Sequence, residues 1–217
     1  MKRLNVKTAM SFLFPHRCPL CGTVSETVMC ADCASSYPVV HYSVPLLGTV
    51  RAHAVFAYRG QIRVALLALK FGGRRGRAEG FGQLMAQCMA DGTYDCVAYV
   101  PMNALRQMRR GYNQAELLAK ACARAMHLPC RSLLRKTRRT ATQHTLPTPM
   151  RIANVCGAYR SRPLHGERVL LCDDIMTTGA TLRACSDALF RAGAGSVETI
   201  CIAWSRSGCN SEPNVVE

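Results

Sequence analysis

The stretch Val169 to Thr181, VLLCDDIMTTGAT, constrains this chain more than any other. Val169, Leu170, Leu171 and Cys172 form an apolar run without alternation, the pattern of a strand buried on both faces. Asp173 and Asp174 follow at once. Inside a strand they would point to opposite faces, so serving one ligand requires the strand to end there. Thr177, Thr178, Gly179, Ala180 and Thr181 then lead into a helical stretch, Leu182 to Ala192. A helix N-terminus offers free N–H groups and a partial positive charge to a phosphate. Three Thr hydroxyls, and a Gly that lets the backbone come close, add to it. Carboxylates that accept from vicinal hydroxyls thus lie about one sugar length from phosphate donors, and a ribose 5-phosphate fits both. Each feature alone is ordinary: Asp caps helices, and Thr-Thr-Gly makes turns. Together, in a strand–turn–helix context, they are specific.

Near the N-terminus, Cys18-x2-Cys21-x8-Cys30-x2-Cys33 brings two CxxC pairs within one short segment. Four thiolates suit a structural tetrahedral zinc with no open position, and a segment this small would draw much of its folding energy from the metal. The alternatives are a disulfide pair or redox CxxC chemistry. Thirteen cysteines, an odd number, mostly single in apolar contexts, place the chain in a reducing compartment, the cytoplasm. That argues against disulfides. No apolar run approaches the roughly 20 residues needed to span a bilayer. MKRLNVKTAMSFLF is basic, then mildly apolar, but is broken by Ser11 and lacks a small-residue cleavage site, so it reads as an arm rather than a signal peptide.

The formal net charge is +15, unevenly spread. Arg59 to Arg77 holds no acid, and Pro101 to Gly166 holds one, Glu116. A field of that sign attracts a polyanion such as pyrophosphate, nucleotide or single-stranded DNA. A solvated basic face would look the same, and few aromatics interleave with the cations (Phe71 and Tyr112 at most).

Between these landmarks the chain reads as a linker over Pro38 to Gly48, a strand over Arg51 to Tyr58, and helices over Gln61 to Phe71 and Ala78 to Ala90. Lys70, Arg74, Arg75 and Arg77 surround Gly72-Gly73. Cys96 to Val100 is a second buried strand, ending at Pro101-Met102-Asn103, so its turn faces the same crevice as the Asp173 turn. Asn113 and Glu116 have capping-box spacing ahead of a helical stripe. Arg109 and Arg110 precede that helix, where cations oppose the dipole unless an anion lies between. Arg135 to Asn154 is basic, lacks an apolar face and reads as a long loop, of a kind that closes over charged intermediates. Val197 to Trp204 is the last strand and Ser205 to Glu217 a frayed tail. The expected division is residues 1–48 for the arm and four-Cys module, 49–205 for the α/β domain, and 206–217 for the tail.

In order, the four-Cys module, Tyr58 to Gly60, Leu69 to Arg74, Val100-Pro101, Arg110 to Glu116, Thr140 to Gln143, Arg151 to Ala158 and Val169 to Thr181 resemble the ComF family of competence-associated proteins, which includes GntX-like members. The acidic-pair segment is similar to the phosphoribosyl-pyrophosphate (PRPP) motif of type I phosphoribosyltransferases. The resemblance implies a type I phosphoribosyltransferase-like α/β fold, a parallel sheet flanked by helices with an N-terminal zinc module. It implies that Asp173 and Asp174 hold the ribose hydroxyls and act at the catalytic centre, and that Thr177, Thr178, Gly179, Ala180 and Thr181 hold the 5-phosphate. Pro101, Met102 and Asn103 become the pyrophosphate loop, with Arg110 nearby. Thr140, Gln143, Arg151 and Asn154 belong to the flexible loop, and Mg²⁺ accompanies PRPP. Met102-Asn103-Ala104 departs from the small residues and His that family members often carry after Val-Pro. The implied role is handling of internalised single-stranded DNA in natural transformation, beside uptake helicases or processing proteins. The residues leave open whether the chain is an enzyme, a non-catalytic single-stranded-DNA adaptor, or a nucleobase-salvage enzyme; no acceptor is readable.

Overall fold

A computed structural model of the chain describes residues 16–48, 50–137, 157–205 and 214–215. Its framework is a six-stranded mixed sheet in the order β3-β6-β7-β2-β1-β8. The strands are β1 (Tyr42–Leu47), β2 (Val50–Ala57), β3 (Cys96–Tyr99), β6 (Arg168–Met176), β7 (Ser196–Trp204) and β8 (Asn214–Val215). β2, β7, β6 and β3 run parallel; β1 pairs antiparallel with β2, and β8 with β1. A separate antiparallel pair, β4 (Leu134–Lys136) with β5 (Tyr159–Ser161), stands apart from the sheet.

The helices are α1 (Ala31–Ser36), α2 (Gly60–Phe71), α3 (Arg77–Cys88), α4 (Ala104–Arg110), α5 (Gln114–Ala125) and α6 (Ala180–Arg191). Two apolar layers cover the sheet, as continuous apolar strands require. On one face Leu170, Cys172, Ile200 and Ile202 pack with Leu66 and Leu69 of α2, Phe81 and Met85 of α3 and Leu118 of α5. On the other, Val169, Leu171, Cys201 and Trp204 pack with Leu182, Cys185 and Leu189 of α6 and with Leu134 and Tyr159 of the small hairpin. Burying each such side chain contributes about 1.5–3 kcal/mol.

Two expectations are corrected here. The stretch read as a linker forms β1 over Tyr42–Leu47, and the stretch read as a tail returns Asn214–Val215 to pair with Tyr42 and Ser43. The four-Cys module, moreover, is packed against α2 and α3. Cys18 and Leu20 are fully buried in the first layer. The Arg77 guanidinium donates to the carbonyls of Pro19 and Leu20, and Gln61 Nε2 donates to Leu20 O at 3.1 Å. At Gly80 a Cβ would stand 3.0 Å from Pro19 Cδ, so glycine lets α3 approach this closely.

Candidate active site

Strands of unequal length open the site. β3 stops where Tyr99 pairs with Cys172, and Val100 N–H donates to Cys172 O at 3.0 Å. β6 goes on, paired with β7 as far as Met176 beside Trp204. Beyond Cys172, β6 therefore has a sheet neighbour on one side only. The other side borders a cleft of about 970 Å³ at the carboxyl ends of the parallel strands.

Both acids lie inside β6, which contradicts the expectation that the strand ends at Asp173. Alternation sends Asp174 to the face of α2 and Asp173 to the face of α6, yet both line the one cleft because β3 has ended. Asp173 Oδ1 accepts from Asp174 N–H at 2.9 Å, and Asp174 Oδ1 from Ile175 N–H at 2.8 Å. Asp174 is buried and its Oδ2 lies 2.7 Å from Lys70 Nζ. Burial, with the neighbouring Asp174 carboxylate, pushes the Asp173 carboxyl well above the usual range. Its side chain is half-buried at the edge of the cleft.

Residues 177–179 form the turn, and α6 begins at Ala180. Gly179 sits at the N-cap with φ +72°, a conformation that favours glycine. A Cβ there would also stand 2.6 Å from Leu46 Cδ1. Thr177, Gly179, Ala180 and Thr181 line the cleft. Thr178 lies beside it, its hydroxyl accepting from Ala180 N–H at 3.4 Å.

Pro101, Met102 and Asn103 form the facing wall. Asn103 caps α4, accepting from Leu105 N–H at 3.0 Å. Asn113 caps α5 by accepting from Ala115 N–H at 3.0 Å. Glu116, its expected capping-box partner, is ion-paired with Lys120 at 2.6 Å. Seven Lys and Arg side chains line the cleft, among them Arg63, Lys70, Arg106 and Lys136. Arg110 donates to Gln114 and stacks 4.8 Å over the Phe71 ring; Arg75 stacks 4.5 Å over Tyr112. Phe71 is 73% exposed at the mouth.

Sequence reasoning missed Lys70 as a partner of the acidic pair. It had grouped it with Arg74, Arg75 and Arg77; of these Arg77 holds the Cys module and Arg75 holds Tyr112. The available signal was position: Lys70 follows the buried Leu69 in the last turn of α2, at the sheet's ligand-bearing end. Thr140, Gln143, Arg151 and Asn154 lie outside the described residues.

The Cys18, Cys21, Cys30 and Cys33 sulfurs all lie within 4.8 Å of one another, with Cys21 and Cys30 at 3.6 Å. Four thiolates at about 2.3 Å from one zinc would be about 3.8 Å apart, so the group fits a tetrahedral metal.

The phosphoribosyl transferase domain family matches residues 113–214. The DNA utilization protein YhgH of Escherichia coli O157:H7 is 28% identical over 203 residues, covering 85% of this chain and 88% of that protein. Proteins of the same name from two other Escherichia coli strains and from Shigella flexneri, 36–37% identical, align over about half their length. The competence protein ComFC of Bacillus subtilis is 28% identical over 193 residues, covering 82% of this chain and 73% of that protein. This chain is similar to proteins named for competence and DNA utilization, and carries a phosphoribosyl transferase match. Among solved structures, glutamine PRPP amidotransferase of B. subtilis, complexed with ADP and GMP, overlaps 63% of this chain and 30% of its own length, at 21% identity and a TM-score of 0.44. The phosphoribosyl transferase match begins at Asn113. The four-Cys module, α2 with Lys70 and the Pro101–Asn103 wall therefore lie outside it. No helix of the described residues is long and apolar enough to cross a membrane.

Proposed function

We propose that this protein binds PRPP in the cleft and acts in the handling of internalised DNA. One observation carries the reading: Asp173, Asp174, the Thr177–Thr181 turn and the Pro101–Asn103 wall line a single cleft rich in cations. Asp173 and Asp174 accept from the ribose hydroxyls. The N–H groups and hydroxyls at the start of α6 hold the 5-phosphate. Arg106, Arg109 and Arg110 face the pyrophosphate. The cleft-facing carboxylates offer the hard oxygen donors that Mg²⁺ takes, and the ion when bound would neutralise charge on the leaving group. Displacement at C1 would break the bond to the pyrophosphate oxygen. The electron pair leaves on pyrophosphate and the acceptor supplies a new pair to C1. The protein contributes placement and fixed charge rather than covalent chemistry. Zinc at the four cysteines has a structural role, because no ligand position stays open.

The reading has a direct test in ligand discrimination. If the carboxylates accept from both hydroxyls, 2-deoxyribose 5-phosphate binds about tenfold more weakly than ribose 5-phosphate, the loss of one charge-assisted hydrogen bond. Equal affinity would remove the acids from the ribose.

The relatives' names, DNA utilization protein and competence protein, support the DNA-uptake role, in a cytoplasmic setting beside DNA-processing proteins. A second reading, a non-catalytic single-stranded-DNA adaptor, draws support from the exposed Phe71 under Arg110, a cation–aromatic pair on which a base can stack.

A further inference from the structure

The loop between α2 and α3, residues 72–76, carries Arg74 and Arg75 and is exposed along its whole length. Gly73 and Arg75 nevertheless line the cleft. A Cβ at Gly73 or Gly76 would meet nothing within 4 Å among the described residues, so packing does not fix the loop there. Its place is set from its two ends. At the cleft end the Arg75 guanidinium lies over the Tyr112 ring, whose hydroxyl donates to Leu69 O near the end of α2. At the other end Arg77, the first residue of α3, donates to the Pro19 and Leu20 carbonyls, which lie between Cys18 and Cys21. A Cβ at Gly22 would stand 3.8 Å from Arg77 Nη2, so the guanidinium runs along this whole turn. The turn is closed on itself: Gly22 N–H donates to Cys18 O and Cys18 N–H to Thr23 O, both at 2.9 Å. It is a fixed anchor, and a planar guanidinium meets it in one orientation. Gln61 Nε2 shares the Leu20 carbonyl but comes from the first turn of α2, away from the loop. An arginine already held in place loses less freedom when an anion binds it.

We propose that the four-Cys module serves the cleft: through Arg77, a positioning residue, it holds the loop 72–76 so that Gly73 and Arg75 face a polyphosphate ligand. That the ligand is PRPP rests on the phosphoribosyl reading; the loop's dependence on Arg77 does not.

The test uses the full chain with Arg77→Met, Arg77→Lys and Gln61→Met. The first readout needs no ligand: amide hydrogen exchange at Gly72, Arg74 and Arg75, whose N–H groups donate to Ala68 O and Gly73 O. Arg77→Met should speed it at least about tenfold by letting the loop open. Arg77→Lys, which keeps the charge and loses the planar fork, should fall between, and Gln61→Met should match the wild type. Unchanged exchange in Arg77→Met overturns the proposal. The second readout is affinity for inorganic pyrophosphate with Mg²⁺, by calorimetry. Arg77→Met should weaken it about tenfold and Gln61→Met should leave it unchanged. Equal losses in these two variants, which remove donors from the same carbonyl, would make the module a structural prop and overturn the proposal. A wild type that binds inorganic pyrophosphate but not PRPP would overturn the phosphoribosyl reading, while the pyrophosphate affinities still decide on Arg77. A wild type that binds neither overturns both. Should Arg77→Met not fold, Arg77→Lys decides: wild-type exchange and affinity in that variant overturn the proposal, and a loss in both supports it.

Discussion

Asn113 reaches back to Val100: its Nδ2 donates to the Val100 carbonyl at 3.0 Å, while its Oδ1 caps α5 through Ala115 N–H. One buried side chain thus ties the end of β3 to the start of the next core helix, and so sets the wall of the cleft. Asn113→Ala loses a cap, about 1 kcal/mol, and leaves a buried carbonyl unpaired, about 1–3 kcal/mol. A loss of about 2–4 kcal/mol is expected by urea unfolding. Asn113→Asp keeps the cap and loses the donor, so it should recover only part of that. Full recovery would mean the Val100 bond contributes nothing.

Gly179 opens α6 in the left-handed region, with Leu46 Cδ1 where a Cβ would go. The leucine end can swing away; the backbone strain cannot. Gly179→Ala should cost about 1–2 kcal/mol and weaken PRPP binding, because the N–H groups at the helix start are displaced. Thermal melting and calorimetry read the two effects separately. Unchanged values in both would show that this turn tolerates an ordinary residue.

The buried imidazole of His53 gives a pH signature. Burial first, opposed by Glu198 3.8 Å away, lowers its pKa to about 4. The folded state therefore binds the proton less readily than the unfolded chain, whose histidine titrates near 6.5. The contribution is fully present above pH ~6.5 and is lost as pH falls toward ~4. Wild-type stability should fall by a few kcal/mol between pH 7 and pH 4.5, at ~1.4 kcal/mol per pH unit of displaced titration. His53→Gln should flatten that slope. Parallel slopes for the two proteins would assign the loss to other groups.

Zinc, if it holds the four thiolates, should be present at one ion per chain after desalting. Chelation should lower the melting temperature and free the module from α2 and α3, since Leu20 and Cys18 belong to their core. Cys33→Ser should mimic chelation. A melting curve indifferent to chelator and to Cys33→Ser would point away from a metal.

Much of this arrangement was legible in the sequence, for physical reasons. Val169 to Cys172 and Cys96 to Tyr99 lack alternation because helices cover both faces. Lys70, by contrast, gave no sign of its partner, because an ion pair between α2 and β6 depends on the tertiary fold. β1 was hidden by Pro45, which a strand accepts where its outer side is unpaired; among the described residues, β8 pairs with Tyr42 and Ser43 and not with Pro45. α4 was hidden because none of its residues is buried, so it carries no apolar stripe. The strand end drawn at Asp173 followed from assuming that two acids on opposite faces cannot share a ligand. The early end of β3 removes that constraint.

Calorimetric titration of PRPP with Mg²⁺, comparing wild type with Asp173→Asn/Asp174→Asn, asks whether the cleft is a working phosphoribosyl site. Saturable binding is expected in the wild type, and its loss in a variant that remains folded. No heat of binding in the wild type, or equal affinity in the variant, would contradict it.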